Sequence, residues 1–208
     1  MELAIDTATA ACSVALIADG VAVHAAGETV GRGHAERLVP MIDALLAQAG
    51  GVRPDAILVD CGPGSFTGVR VGLAAAIGLG IGWGVPVRGF SSLVLIAAQA
   101  FAADPALDHI ATALSGGHCE LFVQRFAARP FAALTELVSQ PPEIAAGTPD
   151  HVVAGSGAAA LIAARGSGTA LDLLPQAAGV ALLPAAFRAL PARPIYGRAP
   201  DAKPAVAA

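Results

Sequence analysis

A short apolar run, Ala56–Asp60, passes directly into Cys61-Gly62-Pro63-Gly64-Ser65-Phe66-Thr67-Gly68 and then into a helix-length apolar stretch over 67–83. This is a strand that feeds a glycine-rich loop and then a helix, and a short strand is read after it at 85–88. Three strands precede this unit. Glu2–Asp6 is the first, and Ala11–Ala18 and 21–28 follow, joined by Asp19-Gly20, a two-residue hairpin signal. Strands first side by side and then alternating with helices predict an α/β fold with a mixed sheet flanked by helices.

Between these units, 34–49 reads as a helix, with Leu38, Met41, Ile42, Leu45 and Ala49 at three- and four-residue spacing. Pro40 is expected to kink it or to mark its true first turn, and Gly50-Gly51 to stop it. A further helix is read over 92–102 with Ser91 as N-cap. The second half is plainer. Strands are expected at 110–114 and 121–126 around Ser115-Gly116-Gly117, and at Val152–Ala154. Helices are expected at 158–164 and 180–190, with a Pro/Ala-rich tail from Pro191 that hugs the surface or is mobile. A boundary near 103–108 divides the chain into a lobe over 1–105 and a smaller one over 106–208.

Charged residues make up only 13% of the chain, and mean hydropathy is +0.67. The segment 71–87 is the candidate for a membrane span, but Gly72, Gly78, Gly80, Gly82 and Gly84 interrupt it and Pro86 closes it. A span needs roughly 20 apolar residues, so a buried or interface helix is the reading. Glu2 and Asp6 stand where a secretory leader would be basic, so no leader is expected. Cys12, Cys61 and Cys119 are odd in number, far apart and without a C-x-x-C, which points to a reducing cytosol. Net charge is −4, Lys203 is the single lysine, and the arginines are scattered. Phosphate neutralisation dominates nucleic-acid affinity, so strong direct binding of DNA or RNA is not expected.

The loop 62–72 admits two readings. Free N–H groups at a helix N-terminus can hold an anion, or Ser65 or Thr67 simply caps a tight turn. A P-loop is excluded for want of a lysine, a nucleophile elbow because Pro63 and Thr67 flank Ser65 two residues away, and G-x-G-x-x-G because Thr67 takes the last glycine's place. His24, His34, His109, His118 and His151 contain no i, i+4 pair. His118, Cys119 and Glu120, if on a strand, point to alternate faces. Asp6, heading Asp6-Thr7-Ala8-Thr9, either supports a Mg²⁺–phosphate or caps an Asx turn.

Taken together, several segments resemble one family. These are the opening strands, Arg32-Gly33-His34-Ala35-Glu36-Arg37-Leu38-Val39-Pro40-Met41-Ile42-Asp43, the run 62–72, Val87-Arg88-Gly89-Phe90-Ser91-Ser92-Leu93, and Tyr196 with Arg198-Ala199-Pro200-Asp201-Ala202-Lys203-Pro204. The family is TsaB, also called YeaZ. The resemblance implies an actin-like (ASKHA) fold of two RNase H-like lobes and a cytoplasmic, non-catalytic dimerisation subunit. That subunit would support the catalytic paralogue TsaD in threonylcarbamoylation of adenosine 37 of tRNAs reading ANN codons. TsaE, an ATPase, would join the pair, tRNA would bind only through the complex, and the chain alone would homodimerise. It implies a partner interface on the two long helices, assigned to His34, Leu38, Met41, Ile42, Leu45, Val69, Gly72, Ala76, Leu79 and Gly80. Asp6, Thr7, Gly62, Gly64, Ser65, Thr67 and Gly68 would be a vestigial or interface nucleotide site, with ATP or ADP at the complex interface and no intrinsic cofactor or metal. The paralogue's H-x-x-x-H is absent from Phe90-Ser91-Ser92-Leu93-Val94-Leu95. A self-sufficient actin-superfamily ATPase or small-molecule kinase is the competing reading.

Overall fold

The computed structural model describes residues 1–197 of the 208. Strands β1 (Glu2–Asp6), β2 (Ala11–Ala18) and β3 (Val21–Thr29) form an antiparallel meander. Asp19 and Gly20 both take positive φ, 51° and 77°, as the two-residue hairpin requires. β4 (Ala56–Asp60) runs parallel to β1, and β5 (Val87–Phe90) parallel to β4. A late strand, β12 (Leu190–Pro191), returns antiparallel to β5, giving the order β12-β5-β4-β1-β2-β3.

The second sheet repeats this plan. β6 (His109–Ser115), β7 (Leu121–Ala128) and β8 (Phe131–Ala133) are antiparallel, and β10 (Val152–Ala154) and β11 (Thr169–Leu171) join β6 in parallel. β9 (Val138–Gln140) also pairs with β7. The order 11-10-6-7-8 is the order 5-4-1-2-3 shifted along the chain. The crossover helices of the first lobe, α1 (His34–Gln48) and α2 (Phe66–Trp83), have short counterparts in α4 (Pro142–Ala145) and α5 (Ala158–Arg165).

Three hydrophobic clusters hold these layers. Leu38, Ile42 and Leu45 of α1 and Val69, Leu73 and Ala76 of α2 pack on Leu3, Ile5, Val14 and Val59 of the first sheet. Ala111, Ala113, Val123 and Val153 of the second sheet carry Ala158 and Leu161 of α5. Between the sheets lies α3 (Ser92–Ala103), and its cluster runs without a break from Leu58 and Phe90 to Ile110, Leu114 and Phe126.

Local chemistry explains where sequence expectation and structure part. β5 starts at Val87, not 85, because Gly84 takes φ 69° and the Val85 N–H bonds the Gly80 carbonyl, closing α2 with a left-handed cap. The helix expected over 180–190 is two 3₁₀ turns, Ala177–Leu182 and Ala185–Arg188, split at Pro184, which has no N–H to continue the ladder. α1 begins at His34 and runs through Pro40, which lies on its exposed side. Ser91 occupies the N-cap position of α3 without a side-chain cap bond. Gly117–Cys119 is a 3₁₀ turn with His118 and Cys119 at positive φ, not part of a strand. Pro191 belongs to β12 and the Ile195 N–H bonds the Cys61 carbonyl, so the tail is tied down this far. The expected motif at 198–204 lies outside the described residues.

α2 is apolar and long enough to cross a membrane by length and composition alone. Its glycines show what it packs against. A Cβ on Gly72 would stand 2.5 Å from Thr7 Oγ1, and one on Gly80 2.4 Å from Val87 Cγ2, whereas one on Gly78 would meet nothing within 4 Å. Gly72→Leu is therefore expected to destabilise the monomer by about 3 kcal/mol through overpacking. Gly78→Ala should stabilise it by about 0.5–1 kcal/mol. Urea denaturation of both variants checks the pair, and equal effects at the two positions would refute this packing.

Candidate functional site

The loop between β4 and α2 is built by close approach. Cβ atoms on Gly64 and Gly68 would each lie 2.1 Å from a backbone oxygen, those of Ala8 and Thr7 respectively. The Ser65 N–H donates to the Ala8 carbonyl at 2.7 Å, and Thr7 Oγ1 donates to the Gly68 carbonyl at 2.7 Å. Ser65 is the N-cap, its Oγ accepting from the Gly68 N–H at 3.2 Å. The glycines of this segment thus admit the β1–β2 turn of the chain itself.

Beneath that contact, Asp6 and Asp60 end the neighbouring parallel strands β1 and β4, both fully buried. Asp6 Oδ1 accepts from the Ala8 N–H at 2.9 Å, an Asx turn. Asp60 Oδ1 accepts from the Gly62 N–H at 2.7 Å and from Ser92 Oγ at 2.8 Å. Burial, reinforced by Asp60, raises the Asp6 carboxyl well above its ordinary range, and burial pushes Asp60 up to about 7. Asp6 therefore lies sealed away from any phosphate, and its reading as a nucleotide-site acid is corrected. Asp60 and Ser92 were not singled out in the sequence. The available signal was that both parallel strands end in an acid, Ala4-Ile5-Asp6 and Leu58-Val59-Asp60.

A cavity of about 540 Å³ opens between the lobes, where Gly64 and Ser65 face Ser115 at the end of β6, Gly116 and Gly117 after it, and Ser156 after β10. At its lip the Arg70 guanidinium lies 3.4 Å from the Phe66 ring centroid and donates to the Phe66 carbonyl and to Tyr196 Oη. Of the seven expected nucleotide-site residues, Gly64 and Ser65 line this cleft. Thr67 and Gly68, again with Ser65, line a second hollow near Arg32, Gly33 and His34, whereas Asp6, Thr7 and Gly62 are buried.

The expected partner surface needs a larger correction. His34 is buried with its ring Nε2 at 2.8 Å from the Thr9 carbonyl, and Leu38, Ile42, Leu45, Val69, Gly72, Ala76 and Gly80 are buried under α1 and α2. Met41 and Leu79 are half-buried. The stripe of small residues faces the chain's own sheet. What α1 and α2 leave exposed is a different set, with Val39 57%, Ile77 42% and Ile81 79% exposed, beside Ala74, Gly78 and Gly82.

Two lobes with one strand order, clasping a cleft lined by glycine loops from both, define the actin-like class with RNase H-like lobes. Within it, a model of the TsaD family, tRNA N6-adenosine threonylcarbamoyltransferase, matches residues 26–151. The tRNA threonylcarbamoyladenosine biosynthesis proteins TsaB of Haemophilus influenzae and Escherichia coli are 48% and 46% identical over 101 residues, 48% of this chain in each case. These alignments span 42% and 43% of those relatives, less than half their length. The solved structure of YeaZ from Pseudomonas aeruginosa is 32% identical, covers 94% of this chain and 98% of its own, and superposes with a TM-score of 0.82. The chain belongs to the TsaB (YeaZ) family.

Among the described residues lining the cleft, Arg70 is the single charged side chain, and it is engaged by Phe66 and Tyr196. Calorimetry of the isolated chain is therefore expected to show ATP binding no tighter than millimolar. A micromolar dissociation constant would favour the self-sufficient ATPase instead.

Proposed function

We propose that this chain is a non-catalytic, cytoplasmic partner subunit. In this role it pairs with TsaD in the N6-threonylcarbamoylation of adenosine 37 of tRNAs that read ANN codons. The observation that carries the reading is the exposed apolar face of α2, with Val39 of α1 also exposed. Ile77 and Ile81 stand out beside the small exposed residues Ala74, Gly78 and Gly82, so a facing helix can approach closely. A contiguous exposed apolar patch marks an interaction site. Two helix pairs, one from each subunit, supply much of the roughly 1,200–2,000 Å² that a stable interface buries. The kinship of the chain with the TsaD family model over 26–151 supports a partner of related shape. The segment Phe90-Ser91-Ser92-Leu93-Val94-Leu95, which offers no histidine to a metal, supports the non-catalytic part of the reading.

In this arrangement TsaE joins the TsaD-bound pair, tRNA is held by the complex, and any ATP or ADP sits at the complex interface. Without TsaD the same apolar face joins two copies of this chain. The purified chain alone transfers no threonylcarbamoyl group. Robust single-component transfer, abolished by one substitution here, would overturn that.

The surface assignment has its own test. Ile81→Arg lies on an exposed position, so stability should change by less than about 0.5 kcal/mol. Binding to TsaD, followed by co-purification and sedimentation, should weaken by tenfold or more, and the homodimer should dissociate. Unchanged binding with Ile81→Arg and Ile77→Glu together would place the interface elsewhere.

A further inference from the structure

Asp6 and Asp60 present a problem that neither the fold nor the proposed partnership explains. Both are fully buried, and each has one oxygen, Oδ2, without a hydrogen-bond donor, while their other oxygens are satisfied by Ala8, Gly62 and Ser92. Asp6 and Asp60 each stand one residue past the paired Ile5 and Val59 of the parallel strands, which sets the two carboxyls side by side at the strand ends. An ionised carboxylate only accepts. Two such acceptors side by side in a dry interior repel unless something positive lies between them.

The surroundings supply no cation. Among the described residues no arginine, lysine or histidine bonds either carboxylate. From β2 the nearest titratable group is Cys12, and beside β4 it is Cys61. Burial pushes these thiols up to about 11 and about 12, so both stay neutral. Glu28 on β3 and Arg37 on α1 act on Cys12, and are paired with each other at 2.6 Å. α3 contributes the Ser92 hydroxyl, and α2 packs Gly68 and Gly72 over Thr7.

We propose that Asp6 and Asp60 share one proton at neutral pH, forming a buried acid latch that ties β1 to β4 and, through Ser92, to α3. The N-terminal lobe then loosens as the medium becomes alkaline. The sign follows from where the proton is released. The unfolded chain gives it up near pH 4, whereas burial and the neighbouring carboxyl make the folded pair hold it to a higher pH. Between those points the folded state holds the extra proton. Stability therefore falls as pH rises, by about tenfold in the unfolding constant per pH unit, and levels off once the folded pair yields. The inference is independent of the partner assignment.

Asp6→Asn places a permanent donor against Asp60 while keeping the acceptor for Ala8. With urea denaturation from pH 5 to 9, the ratio of the wild-type to the variant unfolding constant should climb by about tenfold per pH unit before reaching a plateau. Infrared spectra of the wild-type protein at pH 7 should show a protonated-carboxyl band that Asp6→Asn lacks. Should the variant fail to fold, loss of that wild-type band on alkaline titration is the supporting result. A flat ratio with no such band at pH 7 overturns the proposal. So does a stoichiometric divalent cation found by elemental analysis of the purified chain, because the pair would then be neutralised by metal.

Discussion

The β1–β2 turn and the first turn of α2 approach until no side chain fits between them, and the rest of the N-terminal lobe is arranged around that contact. Gly64 and Gly68 meet the carbonyls of Ala8 and Thr7, and Gly72 meets the Thr7 hydroxyl. Gly68 and Gly72, inside α2, each cost the helix roughly 1 kcal/mol against alanine. The return is a helix seated directly on the ends of β1 and β4, with its first N–H groups partly served by Ser65. This seating closes Asp6 and Asp60 from solvent, opens the cleft on the side of Gly64 and turns Ile77 and Ile81 outward.

How legible each part was in the sequence depends on how much local pattern it carries. β1, β2, β4 and β10 are apolar runs bounded by turn residues, and their read limits coincide with those observed. β8, β9 and β11 have three residues each and α4 has four, too short to show a period of either kind. The same limit decided the helix faces. α2 is glycine, alanine and large aliphatics nearly all round, so no polar side marks its outward surface. A glycine that admits a neighbouring strand reads like one that admits a partner helix, so sequence does not distinguish the two for Gly72, Ala76 and Gly80. α1 has a clear polar side, yet Leu38, Ile42 and Leu45 were also placed at an interface although they are the face it buries.

The site shows a related limit. Ser65 and the glycine loop were visible because their chemistry is local. The Asp60 bond to Ser92 spans 32 residues and the tie from Ala177 N–H to Ser13 Oγ spans 164, and no spacing rule reports such pairs. The duplicated strand order was hidden for a further reason. The second lobe has the same pairing scheme with much shorter helices, and topology without length leaves little periodicity behind.

The unbroken cluster between the sheets has a mechanical consequence. Phe90, Leu93, Ile110, Leu114 and Phe126 belong to one body of packed side chains that includes residues of both sheets. Jaws that hinge need a seam along which to part, and here the would-be seam is filled. Opening the cleft would require shearing a close-packed interior, which resists gradual deformation. A substitution that alters the cleft on one sheet is thus felt by the packing of the other.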